Sequence, residues 1–356
     1  MKEHSFTFGR LSFSPETMEM LPCLPEKLES RVQLFYLDPD GLIETVFTDF
    51  EGFNEHRSNK NLVWLHLSGT HSDEFWQHLR KTLDLSDEEI KAIRSPHLKS
   101  FADDFEDGLF WSLQRPSANL EVDALESVNF LMMDKVLLTR QFSHDNVFTM
   151  SSHRLMSKGP RCGDYKVDHL TAQLMEDILN SYVDLLRFGG TKLEHIQNKI
   201  IRNPGQTELN LINRSQQIIW IYLNAVWPIE QVLQTILHSR SPILTAEGKR
   251  DFEARLSEAN SVLRLFETYR AMSYDLMDVY VSGLGLRTNE TTMILTVIAT
   301  LFLPPTLIAG IYGMNFQIPE IHFVGGYYLC LAAMFGVSGG LLFWLNKRGY
   351  IRLWYR

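Results

Sequence analysis

The sequence predicts a mixed α+β domain, then a long helical stalk, then two C-terminal transmembrane helices. Three observations carry that expectation. Short runs rich in β-branched and aromatic residues fill the first 150 residues, apolar residues recur every three or four positions from about residue 167, and charge almost vanishes after residue 290.

In residues 1–150 the strand candidates are "VQLFYLD" (32–38), "NLVWLHLS" (61–68), "GLFWSLQ" (108–114), "SVNFLMMD" (127–134) and "KVLLTRQF" (135–142). The last two are joined by a tight turn at Asp134-Lys135. Between them, residues 72–96 have helical spacing, with Ser86 as a cap, Glu89 three residues on, and Pro96 at the end. This makes a mixed sheet with flanking helices.

Residues 151–290 are expected to form the stalk. Leu170, Leu174, Ile178, Tyr182 and Leu185 mark one helix, and a second follows a break at Asn203-Pro204-Gly205. Pro228 is expected to kink or restart that second helix. A third begins near Thr245, with Phe252, Leu256, Ala259, Leu263 and Phe266 on one stripe, continued by Tyr269, Met272, Leu276, Val279 and Gly283. No proline appears in it before Pro304, so it can run unbroken into the apolar region. A helix of that reach is too long for one small domain and must pack along its length against others.

Residues 291–356 form the membrane part. Spans are expected at about 293–312 and 323–346, with an outer loop at 313–322 and a basic tail at 347–356. Residues 291–319 and 321–346 contain no Asp, Glu, Lys or Arg. A buried core helix is the alternative for either run alone. Two runs hinged by a short loop and closed by Lys347-Arg348 argue against it. Arg287 precedes the first span, and Lys347, Arg348, Arg352 and Arg356 follow the second, so both termini are expected in the cytosol. Pro304-Pro305 frees backbone carbonyls that need a neighbouring helix, a water or a cavity. Asn289, Thr292, Thr296, Leu303 and Thr306 lie near one face, which fits helix–helix contact and a water-filled path equally.

Composition narrows the function. The chain holds 34 basic and 43 acidic residues, of which four and one fall after residue 290, so the first 290 carry 30 against 42. An acidic body argues against nucleic acid as a partner and suits cations, although a solvated acidic surface has the same composition. Cys23, Cys162 and Cys330 are odd in number and lack metal-type spacing, as expected in a reducing compartment. "MKEHSFTFGR" has no apolar core of a secretory signal. No phosphate-binding loop or nucleophile–base set is present, so neither an enzyme nor an ATP-driven pump is expected. His153, His169 and His195 show no ligand pairing. "FADDFEDG" (101–108) is expected to be a solvated acidic turn, with a regulatory cation site as the alternative. For Asp87, Glu88 and Glu89 an ordinary capped helix start outweighs a subunit interface.

The stretch "TNETTMILTVIATLFLPPTLIAGIYGMNF" (288–316) resembles the signature of the CorA family of divalent-cation transporters. The specific part is Tyr312-Gly313-Met314-Asn315-Phe316, placed at the end of one span and a short loop before a second. The order of parts agrees over nearly the whole chain. "WLHLS" and "SPHLKSFADDF" are similar to the zinc-transporting branch of the same superfamily.

That resemblance implies a funnel-shaped homopentamer in a bacterial inner (plasma) membrane, with the long helix continuing into the pore-lining span and the second span outside. It implies a selectivity loop of Tyr312, Gly313, Met314, Asn315 and Glu320. Asn289, Thr292, Leu295, Leu303 and Thr306 would face the pore, and Asp278, Lys347 and Arg348 would stand at its cytoplasmic mouth. Asn315 would meet the metal through its hydration shell, and Glu88, Glu89 and Glu253 are candidates for a regulatory metal. The transported ion would be Mg²⁺, with Co²⁺ or Ni²⁺ as further cargo and no cofactor. Mg²⁺ dehydrates reluctantly, so a ring of neutral acceptors suits its bound waters. Departures from the family pattern are a shorter "QIPEI" loop, Thr292 where Met is common, the second proline Pro305, and Ala254 where a stalk aspartate is expected. A proton-coupled Zn²⁺ transporter and a membrane-tethered scaffold are the rival expectations.

Overall fold

In the computed structural model, residues 31–38, 41–47, 62–117, 125–143, 147–157, 166–315 and 325–349 are described. The expected sites Cys23, Cys162 and Glu320, and the tail from residue 350 on, lie outside them. The chain divides into two compact units: residues 1–198 with 206–277, and residues 199–205 with 278–356.

The first unit is built on a seven-stranded sheet of order β2-β1-β3-β7-β6-β5-β4. The strands are β1 (Arg31–Asp38), β2 (Gly41–Phe47), β3 (Val63–Ser68), β4 (Phe101–Asp104), β5 (Leu109–Pro116), β6 (Leu125–Met132) and β7 (Val136–Gln141). β3 and β7 run parallel, and the other pairings are antiparallel. The turn at Asp134-Lys135 is present, closed by Met133 N–H on the Val136 carbonyl at 2.9 Å.

Two strands were not expected. β2 pairs in register with β1, and β4 is an edge strand that, among the described residues, pairs with β5 alone. The stretch "FADDFEDG" is therefore half strand and half turn. Its carboxylates hid the strand, because Asp is depleted in sheets and is tolerated here by an exposed edge. The helical stretch 72–96 divides at the expected Ser86 cap into two helices, α1 (Asp73–Leu83) and α2 (Asp87–Arg94). Asp84 separates them in a left-handed conformation at φ 55°. Ser86 and Glu89 then form the expected capping box: Ser86 N–H and Oγ–H both donate to the Glu89 carboxylate at 2.8 Å.

One sheet face carries Val136, Leu138, Leu65 and Leu67 against Trp76, Leu79 and Leu83 of α1. The other is aromatic. Phe35 stacks on Trp64, and Phe148 meets Trp64, His66 and Phe130 edge-on. A short helix α3 (Thr149–Ser157) follows, and then α4 (Val167–Arg202), whose Tyr182 hydroxyl donates to the Gln114 carbonyl at 2.8 Å.

The chain breaks at Asn203-Pro204-Gly205 as expected, and α5 (Gln206–His238) continues. Pro228 does not restart it. Its missing N–H orphans the carbonyl of Asn224, which is an exposed residue, and α5 runs through. The long helix α6 (Ala246–Tyr312) begins where Asp168 of α4 accepts hydrogen bonds from Thr245 N–H at 2.9 Å and Thr245 Oγ–H at 2.6 Å. Any Cβ at position 248 would collide with that carboxylate, which explains Gly248. Phe252, Ala259, Phe266 and Leu276 are buried, but Met272 is 48 % exposed. Its neighbour Ser273 takes the inward position, and its carbonyl accepts from Gln216 Nε2 at 3.1 Å.

His66 lies wholly inside the aromatic face. Burial, then the charges of Arg115 and Arg31 and a smaller contribution from His71, push its pKa down to about 3. Unfolded, it takes a proton below the ordinary value of 6.5; folded, it stays neutral until about 3. Stability therefore falls as pH drops between those values. Replacing His66 with Gln should shrink the loss between pH 6 and pH 4 by about 2 kcal/mol. Chemical unfolding of the full chain at the two pH values measures it.

Candidate functional site

The second unit holds two helices long and apolar enough to cross a membrane, the end of α6 and α7 (Gly326–Lys347). They touch along one face each. On α6, Met293, Val297, Leu301, Pro304, Pro305 and Ile308 are half-buried, and on α7 the half-buried residues include Cys330, Met334, Ser338 and Leu341. At 100° per residue the α6 set covers one side of the helix. Asn289, Thr292, Thr296, Leu303 and Thr306 cover the opposite side. The stripe of polar residues noted in the sequence is thus left open by the neighbouring span. A shallow groove runs along its outer half, lined by Leu303, Thr306, Gly310 and Met314 among others.

The chemistry of the stripe is set by where its hydroxyl protons go. Thr292 donates to the Thr288 carbonyl at 2.9 Å, Thr296 to Thr292 at 2.8 Å and Thr306 to Phe302 at 2.7 Å. Each proton is committed to the helix itself, so each oxygen offers only lone pairs outward. Such a surface accepts hydrogen bonds. It suits the outward-pointing hydrogens of water bound to a cation.

The remaining predicted site residues fall as follows. Leu295 is 67 % exposed on the flank of the stripe, and Leu303 is 66 % exposed at its centre. The helix closes with Gly313 N–H on the Ala309 carbonyl at 2.9 Å and Met314 N–H on the Ile311 carbonyl at 3.2 Å. Tyr312, Gly313, Met314 and Asn315 are all exposed there. Asp278 is exposed on α6. Lys347 ends α7, and the Arg348 guanidinium sits 5.2 Å from the Trp344 ring. Glu88 and Glu253 are exposed, while Glu89 is buried in its capping box. Among the described residues, no three His, Cys, Asp or Glu side chains form a metal-sized group.

Two residues escaped sequence reasoning. Arg287, read only as a charge flanking the span, donates to Asn203 Oδ1 at 3.2 Å and to the Pro204 carbonyl at 3.4 Å. Ser338 of α7 donates to the Leu301 carbonyl at 3.2 Å. The prolines announced the need for such a partner. Ser338 is the only Ser or Thr in residues 323–346, which was the available clue.

Two helices of membrane-spanning length and apolarity, the first continuing from the first unit, are the expected features of a two-span membrane protein. The chain belongs to the family described as CorA-like Mg²⁺ transporter protein, which matches residues 59–348. A cobalt/magnesium transport protein CorA of Thermotoga maritima is 24 % identical over 85 % of this chain and 88 % of its own. The complete structure of the CorA magnesium transporter from Methanocaldococcus jannaschii shares the fold, with a TM-score of 0.71 at 19 % identity, covering 92 % of this chain and all of that one. The ZntB cytoplasmic domain from Vibrio parahaemolyticus is also similar, with a TM-score of 0.58 at 11 % identity, covering 72 % of this chain and 99 % of its own.

The turn at Gly313 has little room. A Cβ there would stand 3.0 Å from the Ala309 carbonyl. Gly313→Ala should destabilise the end of α6 by about 1 kcal/mol, read as a lower thermal midpoint of the full chain in detergent. An unchanged midpoint would show that the helix end has slack.

Proposed function

We propose that this chain is a channel-like transporter of divalent cations, with Mg²⁺ as the main cargo and Co²⁺ or Ni²⁺ as further ones. The carrying observation is the acceptor stripe of α6, which faces away from α7 and ends at Gly313-Met314-Asn315. A polar stripe facing lipid is unfavourable, and one neighbouring span cannot cover it. Several copies around an axis bring the stripes together on a shared, watery path. Five copies is the number the family resemblance implies.

In this reading Asn315 and Gly313, with Tyr312 and Met314, form the outer selectivity ring, and Glu320 raises the local cation concentration outside. Asn289, Thr292, Thr296 and Thr306 accept hydrogen bonds from the ion's waters, and Leu295 and Leu303 narrow the path. Asp278, Lys347 and Arg348 stand at the cytoplasmic mouth, with both termini on that side of a bacterial inner membrane. Residues 1–150, 151–290 and 291–356 divide the work between soluble domain, stalk and membrane domain. The names of the relatives support the choice of Mg²⁺ and Co²⁺. The ion keeps its first hydration shell in this reading, since Mg²⁺ dehydrates reluctantly and no stripe residue offers a carboxylate.

Asn315→Ala removes the ring of amide oxygens without touching the helix contacts. Uptake of Mg²⁺ into proteoliposomes should fall by about tenfold or more, the worth of a lost hydrogen bond of ~1.4 kcal/mol, while the oligomer elutes unchanged on size exclusion. Unchanged uptake would remove Asn315 from the pathway, and a collapsed oligomer would make it an assembly residue.

A further inference from the structure

Prolines 304 and 305 lie inside α6, and each lacks the N–H that would bond the carbonyl four residues before it. For Pro305 that carbonyl belongs to Leu301. Ser338 Oγ–H donates to that same oxygen at 3.2 Å. Leu301 lies about eleven residues before the end of α6, and Ser338 about twelve residues after the start of α7. At ~1.5 Å per residue both stand roughly 17 Å from the loop, close to the middle of a hydrocarbon core of about 30 Å. No water is at hand there to replace a lost donor.

We infer that Ser338 is a positioning residue for α6: its hydroxyl takes the place of the missing Pro305 N–H and braces the proline turn of the pore helix from the side of α7. The bond lies on the side of α6 opposite the stripe, so Ser338 touches no ion. Two further facts fit this role. Gly336, Gly339 and Gly340 around it have nothing within 4 Å of a would-be Cβ, so the contact does not depend on close packing of those glycines. Leu303 and Thr306, on the stripe, flank the two prolines, so a shift of the helix at the prolines moves the lining directly.

The inference rests on the transport reading for its functional part and on the hydrogen bond alone for its structural part. A double-mutant cycle in the full chain separates them. Pro305→Ala restores an N–H for the Leu301 carbonyl and makes the hydroxyl redundant. In the native background, Ser338→Ala should slow maximal Mg²⁺ uptake about three- to tenfold, leave the half-saturating Mg²⁺ concentration unchanged and lower the thermal midpoint. Ser338→Thr, which keeps the donor, should restore rate and midpoint. In the Pro305→Ala background, Ser338→Ala should change neither. An equal effect of Ser338→Ala in both backgrounds overturns the inference, because the side chain then acts through packing. Coupling in the midpoint without coupling in the rate also overturns it, because the bond then only anchors the helices. If the native protein takes up no ion at all, the transport reading fails, and the midpoint cycle alone decides whether Ser338 replaces the proline N–H.

Discussion

A backbone carbonyl without a donor costs several kcal/mol in hydrocarbon, and α6 carries two consecutive prolines where donors should be. Much of the membrane unit follows from that constraint. A freed carbonyl facing lipid is unfavourable, and α7 brings Ser338 to the Leu301 carbonyl. With that side covered, the opposite side of α6 is the one left for solvent or for other copies of the chain. Thr292, Thr296 and Thr306 on that side spend their protons on their own helix. The result is a face of oxygen lone pairs without a formal charge.

Charge would be the wrong tool for moving a strongly hydrated ion. A carboxylate ring in a narrow, low-dielectric path binds a dication tightly and slows its exit, whereas neutral acceptors hold its water shell and release it. In the proposed reading the same logic extends to the loop, where Asn315 would supply an amide and Glu320 is the one acid of residues 291–356. The acidic excess lies in residues 1–290. Arg287 ties the entrance of the span to the turn at Asn203 and Pro204, so the end of the stalk and the start of the span are fixed by named bonds.

Periodicity made the long elements legible before any coordinates. β1, β3, β5, β6 and β7 had unbroken β-branched and aromatic runs, and α6 was visible as one helix because nothing interrupts its spacing before Pro304. What escaped had a local signal opposed by context. β4 is acidic and survives as an edge strand, and α5 passes through Pro228 because the freed carbonyl belongs to an exposed residue. Met272 yields its inward place to Ser273, a substitution of polarity that spacing alone cannot foresee. For the candidate site, the polar stripe and the Gly-Met-Asn end were visible from residue types. Which side of the helix the second span would cover was not, because α7 is apolar all round and its contact side is fixed by packing and one serine.

The most direct measurement is ion uptake by the native chain in liposomes, Mg²⁺ against Zn²⁺, with and without a pH gradient. A path lined by neutral acceptors and driven by the electrochemical gradient should carry Mg²⁺ at a rate indifferent to the pH gradient. Zn²⁺ uptake that rises with the pH gradient, with Mg²⁺ left outside, would contradict it and place the chain with proton-coupled zinc transport.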